Sequence, residues 1–199
     1  MTFLKLKQEQ EPLGYINGIG FTYKDYLQWD DSIRVELIDG LAYMLDSPSQ
    51  DHNRAVRILN RQLEEYFQNK PCEVFLAPMD VRLFPQDDDL DKDVVQPDLF
   101  VVCDKEKLGK GHAIKGAPDF VIEIMSYSSR GKDLLTKKDQ YEKAGVREYW
   151  VVDFIKHYKV YKYVLRDGEF EETLVDLRQV SEIAVEIFEN LKLVVKLNY

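Results

Sequence analysis

The chemistry-bearing residues begin at Gln96-Pro97-Asp98, where a proline and an acid enter an otherwise apolar run of Val94, Val95, Leu99, Phe100, Val101 and Val102. Proline in a central strand removes a ladder hydrogen bond, so it marks an edge, an entry point or a bulge. Asp98 sits beside that irregularity. A second acid, Glu123, interrupts the apolar run Phe120-Val-Ile-Glu-Ile-Met125. Strand alternation puts Val121, Glu123 and Met125 on one face and Ile122 and Ile124 on the other. A carboxylate buried there needs a cation or a hydrogen-bond donor, because burying it unpaired is very costly. Two such carboxylates on adjacent strands are placed to share a divalent ion, and Mg²⁺ takes only one or two protein carboxylates while keeping several waters. The alternative is structural: Asp98 caps a turn and Glu123 makes an ion pair. In the helical stretch that follows, Leu134, Leu135, Tyr141 and Ala144 define an apolar stripe. At about 100° per residue, Lys137 and Lys138 both fall within or beside it. A lysine turned toward a sheet seeks a carboxylate or a phosphate, or snorkels with its stem buried. Helical geometry does not choose between the two.

The elements that must position these groups follow from pattern. Thr22 has N-cap chemistry, Asp25 lies three residues on, and Tyr23, Tyr26 and Leu27 fall at helical spacing. Asp39-Gly40 stands between two strand-like runs, 35–38 and 41–45, as the turn of a type I′ hairpin. Ser47-Pro-Ser-Gln-Asp-His52 caps a helix to about Gln68, with Ala55, Val56, Leu59, Leu63, Tyr66 and Phe67 as the stripe that covers a sheet. Strands are expected over 73–83, 94–102 and 118–125, the last two central because they are nearly all apolar. A helix over 132–144 ends at Gly145, and 148–153 is a further buried strand. A second hairpin, 157–165 with 169–175, turns at Asp167-Gly168, and 186–197 adds at least one strand. The outcome is an α/β fold, a mixed sheet flanked by helices and decorated by two hairpins. The first twenty residues read as an arm, and 21–199 as a single domain.

Composition bounds the function. With 199 residues, 45% hydrophobic, and only 10 Gly and 7 Pro, the chain is neither collagen-like nor wholly disordered. No apolar run approaches the ~20 residues that span a bilayer, and no secretory signal opens the chain, so a cytoplasmic location is expected. The net charge of −9 argues against a protein that coats nucleic acid electrostatically. Residues 101–150 nevertheless hold ten Lys or Arg against eight Asp or Glu, a local excess of +2 that leaves the remainder near −11. Lys105, Lys107, Lys110, Lys115, Arg130 and Lys132 bracket the strand carrying Glu123 and would meet a polyanion there, or are ordinary solvated loop residues. Cys72 and Cys103 stand alone rather than in a Cys-x-x-Cys pair, and each reads as a reduced small hydrophobe. The five Asp between Asp87 and Asp93 lack the glycine and the twelfth-position Glu of a calcium loop, so a solvated loop is expected. His112 and His157 have no partner spacing and read as surface residues. His52, at a helix start, could contact phosphate or metal, or make a local hydrogen bond.

In order and spacing, several segments together resemble the PD-(D/E)XK, or restriction-endonuclease-like, superfamily, and within it the bacterial restriction-endonuclease group often called Uma-two. They are Val35-Glu-Leu-Ile-Asp-Gly40, Ser47-Pro-Ser-x-x-His52, Val95-Gln-Pro-Asp98, Gly116-Ala-Pro-Asp-Phe-Val-Ile-Glu-Ile124, Asp133-x-x-x-Lys137-x-x-x-Tyr141 and Ala144-Gly-Val-Arg-Glu-Tyr-Trp150. The resemblance spans residues 21–153 and, weakly, on to 197. It implies a restriction-endonuclease-like sheet and hydrolysis of phosphodiester bonds, with DNA as the expected substrate. Asp98 and Glu123 resemble the motif acids that bind Mg²⁺ or Mn²⁺. The position two residues after the second acid, usually lysine, is Met125, and the Asp133-to-Tyr141 pattern selects Lys137 in its place. Glu36, His52, Gln96 and Tyr141 are accessory candidates around the same pocket: Glu36 would complete the metal shell through a water, or face solvent on its hairpin, and Gln96 would fix a ligand by a hydrogen bond. Tyr127 and Ser129 stand where Pro and Thr are usual. In this picture the metal polarises the scissile phosphate and acidifies a water, and Lys137 orients that water. A homodimer would cut both strands of a duplex. The alternative functions are a non-cleaving module of the same fold that binds nucleic acid or protein, and a metal-dependent hydrolase of small phosphoesters.

Overall fold

A computed structural model of the chain describes residues 20–29, 34–109, 111–126, 129–154, 156–180 and 182–196. The arm expected over 1–20 therefore lies, except for Gly20, outside the described residues, as do Lys110 and Tyr127. α1 (Tyr23–Tyr26) starts from a capping box in which Thr22 and Asp25 bond each other's backbone N–H. β1 (Val35–Ile38) and β2 (Leu41–Met44) form the expected hairpin, with Asp39 and Gly40 both at positive φ, 51° and 75°. α2 (Gln50–Phe67) is capped by Ser49, whose hydroxyl accepts from the His52 N–H. It buries Ala55, Leu59, Leu63 and Phe67.

Two sheets result, because both long apolar runs break at a proline. The run 73–83 divides into β3 (Glu73–Leu76) and β4 (Asp80–Arg82), and the run 94–102 into β5 (Val94–Val95) and β6 (Leu99–Val102). After a 3₁₀ turn at Lys105–Lys107 come β7 (Ala113–Lys115) and β8 (Phe120–Ile124), and later β9 (Glu148–Asp153), β10 (Lys159–Arg166), β11 (Glu169–Asp176), β12 (Glu182–Ala184) and β13 (Lys192–Val194). A five-stranded sheet runs β2-β1-β5-β4-β7, a six-stranded sheet runs β11-β10-β9-β8-β6-β3, and β12 pairs with β13. Ala77-Pro78 and Gln96-Pro97-Asp98 are thus the places where two chain segments leave one sheet for the other. Proline cannot donate to a ladder, so each break ends the pairing there.

Between β8 and its parallel neighbour β9 the chain makes a helical crossover. Residues Lys132–Lys137 are π-helical and continue into α3 (Lys138–Ala144), which Gly145 ends at φ 85°. The wider i→i+5 turn changes the expected stripe: Leu135 is 67% exposed, while Asp133 and Lys137 are buried. One face of the six-stranded sheet, with Leu99, Phe120, Ile122 and Trp150, packs on α2 and on Ile183 and Leu193 of the β12–β13 pair. The other face, with Phe100, Val121, Tyr149 and Val151, packs on Tyr141 of α3 and on Ile38, Val81 and Val95 of the second sheet.

Three expectations are corrected. Cys72 and Cys103 are joined in a disulfide. The antiparallel register that pairs Glu73 with Val102 sets them directly opposite each other, a pairing invisible to motif spacing. The Asp87–Asp93 segment is not simply solvated. Asp91 and Asp93 are buried, and the buried Arg82 pairs with Asp89 at 2.7 Å and with Asp91. His157 is half-buried rather than free on the surface, with Nδ1 2.7 Å from Asp153. Among the described residues no helix is long and apolar enough to cross a membrane.

Candidate functional site

At the junction of the two sheets lies a cavity of about 610 Å³ whose lining includes Glu36, His52, Asp98, Glu123, Lys132 and Lys137. The β6–β8 register, with Leu99 opposite Ile122, carries one residue further to set Asp98 opposite Glu123. The Asp98 N–H lies 3.4 Å from Glu123 Oε2, and Asp98 Oδ2 accepts the Ile124 N–H at 2.8 Å. The break at Pro97 frees Asp98 from the ladder and lets its side chain take these contacts. His52, in the first turn of α2, brings Nε2 to 3.0 Å from Asp98 Oδ2, which fixes Nε2–H as the donor in the neutral ring. Its buried Nδ1 makes no hydrogen bond among the described residues.

The lysine arrives from the crossover. Lys137 is 2% exposed and pairs with Glu123 Oε1 and, at 2.8 Å, with Glu36 Oε1. One turn on, the Tyr141 hydroxyl donates to Glu123 Oε1 at 2.9 Å. Glu36, on β1, is 0% exposed rather than solvent-facing, and its Oε2 accepts from Lys132 at 2.8 Å. The Gln96 N–H donates to Glu36 Oε1 at 3.0 Å. Lys138, which the helical reading left level with Lys137, instead lies at the rim of α3 near Asp139 and Glu142, 3.5 Å from each. The structure so brings Asp98, Glu123, Lys137, Glu36, His52 and Tyr141 into one network. The Gln96 side chain points elsewhere, to Asp80 and the Tyr26 hydroxyl, and only its backbone N–H reaches the network through Glu36.

Four carboxylates, Glu36, Asp98, Glu123 and Asp133, meet two lysines here, and burial divides them. Burial pushes Glu123 up to about 8; Lys137 opposes this, but Asp98, Asp133 and Glu36 reinforce it. Burial likewise lifts Asp133 to about 6 against the pull of Lys137. For Glu36 burial works in the same direction and is outweighed by Lys137 and Lys132, which hold it down at about 2. Burial also works against the Lys137 ammonium, yet Glu123, Glu36 and Asp133 keep its pKa well above the ordinary lysine value. The pocket thus carries surplus negative potential around Glu123, where an added cation would relieve it.

Among the described residues no group of three or more His, Cys, Asp or Glu converges as a metal cage. Two carboxylates, Asp98 and Glu123, lie together here, and a pair of oxygen donors with water completing the shell is what Mg²⁺ or Mn²⁺ accepts. The donor chemistry fits such an ion: Asp98 and Glu123 offer adjacent carboxylate oxygens, and Lys137, Tyr141, His52 and two backbone N–H groups fix their orientation. Sequence reasoning missed the parts played by Asp133, which it named only as the start of a motif, and by Arg34. Lys132 was visible as a basic residue near the strand, but its partner Glu36 lies 96 residues away. Arg34, beside β1, also lines the cavity and donates to Gln96 Oε1 at 3.4 Å.

Comparison with known proteins bears on this arrangement. A family model, Uma2, described as "Putative restriction endonuclease", matches residues 23–196. The fold is similar to that in the "Crystal structure of a putative nuclease belonging to DUF820 from Anabaena variabilis ATCC 29413", with a TM-score of 0.69 over 88% of this chain and 95% of that one, at 17% sequence identity. At that identity the likeness establishes the shared fold alone. No curated protein matches the sequence.

Proposed function

The chain belongs to the Uma2 family of restriction-endonuclease-like proteins, and from that premise we propose that it is a metal-dependent nuclease hydrolysing phosphodiester bonds, first of all in DNA, at the pocket of Asp98, Glu123 and Lys137. The observation that supports this reading is the convergence, across the junction of two sheets, of two opposed carboxylates and a buried lysine whose other partner is a buried acid. A purely structural ion pair has no need of the second carboxylate or of a cavity in front of it.

Asp98 and Glu123 would hold Mg²⁺ or Mn²⁺, and the chemistry supplied there would be polarisation of the scissile phosphate and acidification of the attacking water. The protein's own groups do the rest. Lys137 offsets charge developing on the phosphate and orients the water, and it can do so because Glu36 and Glu123 hold its ammonium in place. Glu36, kept ionised by Lys137 and Lys132, is a positioning residue. Tyr141, by donating to Glu123 Oε1, leaves Oε2 on the side of Asp98. His52 and the Ile124 N–H tether Asp98 Oδ2.

The test is incubation of the protein with supercoiled plasmid, linear duplex, single-stranded DNA and RNA in Mg²⁺, Mn²⁺ or EDTA. Cleavage that requires metal is expected. Metal binding without cleavage of any substrate would instead favour a binding module of the same fold, a reading that the net charge of −9 supports.

A further inference from the structure

Resting on that reading, we propose that the pocket acts on an unpaired nucleotide, in a single strand or extruded from a duplex, with its base stacked on Tyr158 and its phosphate met by Arg34. Depth is the first reason. Glu123 is 4% exposed and Lys137 2%, so a phosphate must descend into the cavity to reach them. A volume of about 610 Å³ lies in the range that encloses one small ligand, not two paired strands.

The second reason is Tyr158, which lines the cavity and is 47% exposed. It sits in the turn between β9 and β10 at φ 52°, a left-handed conformation that a bulky residue adopts only where its surroundings impose it. Around it, Asp153 accepts the Lys156 N–H at 2.9 Å and pairs with His157, and the Tyr158 carbonyl accepts the Leu177 N–H at 2.8 Å. An exposed aromatic ring lining a pocket is a stacking platform for a base. In a paired duplex the base faces are already stacked, so the ring can be used only by a nucleotide that has left the helix.

Charge gives the third reason. Lys132 and Lys137 are committed to Glu36 and Glu123, and His52 contacts Asp98. Among the described residues, Arg34 is the lining cation in no ion pair; it donates to the neutral Gln96 amide, and its buried Nε is unpartnered. One free guanidinium suits one phosphate. The second strand of a duplex would need rows of neutralising cations that the described lining does not carry.

Two readouts test this. Cleavage rates in Mg²⁺ are compared for a single strand, a perfect duplex and a duplex with one bulged nucleotide. Binding of the same fluorescently labelled oligonucleotides is measured by anisotropy with Ca²⁺ in place of Mg²⁺. The single strand and the bulge are expected to be cut, and bound, at least about tenfold better than the perfect duplex. Tyr158→Ala and Tyr158→Leu should weaken single-strand binding and raise KM by about five- to a hundredfold with kcat little changed, while Tyr158→Phe behaves as wild type. Arg34→Ala should weaken binding of all unpaired substrates alike. Single-strand preference and Tyr158 dependence in binding, without any cleavage, would uphold this inference while overturning hydrolysis. Equal use of the perfect duplex, or indifference to Tyr158→Leu, would overturn the inference while leaving the nuclease intact.

Discussion

Replacing Glu36 by glutamine removes one charge and almost no volume from the centre of the network. The wild-type carboxylate accepts two ammonium groups and one backbone N–H, with no exposure to water. Its folded pKa of about 2 lies below the ordinary 4.5. Ionised Glu36 therefore stabilises the fold fully above pH 4.5, and that stabilisation is lost as the pH falls through 2. At about 1.4 kcal/mol per pH unit the difference comes to about 3 kcal/mol. A second route agrees: breaking a buried charge pair costs about 3–5 kcal/mol. Urea unfolding of wild type and Glu36→Gln between pH 2 and pH 8 reads this directly. The variant should be about 3 kcal/mol less stable at pH 7 and should converge with wild type near pH 2, where the native carboxyl is neutral. A deficit below about 1 kcal/mol at pH 7, or one that does not change with pH, would refute the assignment of Glu36 as the buried charged partner of both lysines.

Two further outcomes follow from the same structure. Because burial holds Glu123 protonated up to about pH 8, binding of Mg²⁺ at pH 7 must expel a proton. Calorimetry in buffers of different ionisation enthalpy should detect close to one proton released per ion, with affinity rising as the pH approaches 8; binding indifferent to pH would show that Glu123 is not a ligand. The Cys72–Cys103 bond closes a loop with a sequence separation of 31, so its reduction should cost about 3–4 kcal/mol on the chain-entropy account. Thiol titration of the native protein should find neither cysteine free, and equal melting temperatures with and without reductant would exclude the bond.

Local signals in the sequence located much of this fold. The Asp39-Gly40 hairpin, the stripe of α2 and the helix end at Gly145 each rest on interactions within a few residues, and each stands where expected. The two opposed acids were legible because a buried carboxylate in an apolar strand is a conflict that the pattern itself exposes. What escaped depends on distance or on register. Nothing local to 73–83 or 94–102 says that both runs change sheets at a proline, although Pro97 flagged the irregularity that places Asp98. An α-helical wheel could not separate Lys137 from Lys138, because the π-helical turn alters the phase that such a wheel assumes. The burial of Glu36 depends on Lys132 and Lys137, respectively 96 and 101 residues away. Cys72 and Cys103 meet only through the pairing of β3 with β6. The resemblance to the restriction-endonuclease-like family chose Lys137, which the fold buries against Glu123 while Lys138 stays at the rim.

The most direct test of the central claim sets Lys137→Met beside Lys138→Met in one Mg²⁺-dependent cleavage assay, with Asp98→Asn and Glu123→Gln as companions and circular dichroism to check folding. If the buried pair and its lysine form the hydrolytic centre, Lys138→Met cleaves like wild type, while the other three, still folded, lose activity by about a thousandfold or more. Full activity in Lys137→Met, or equal losses in the two lysine variants, would contradict the account.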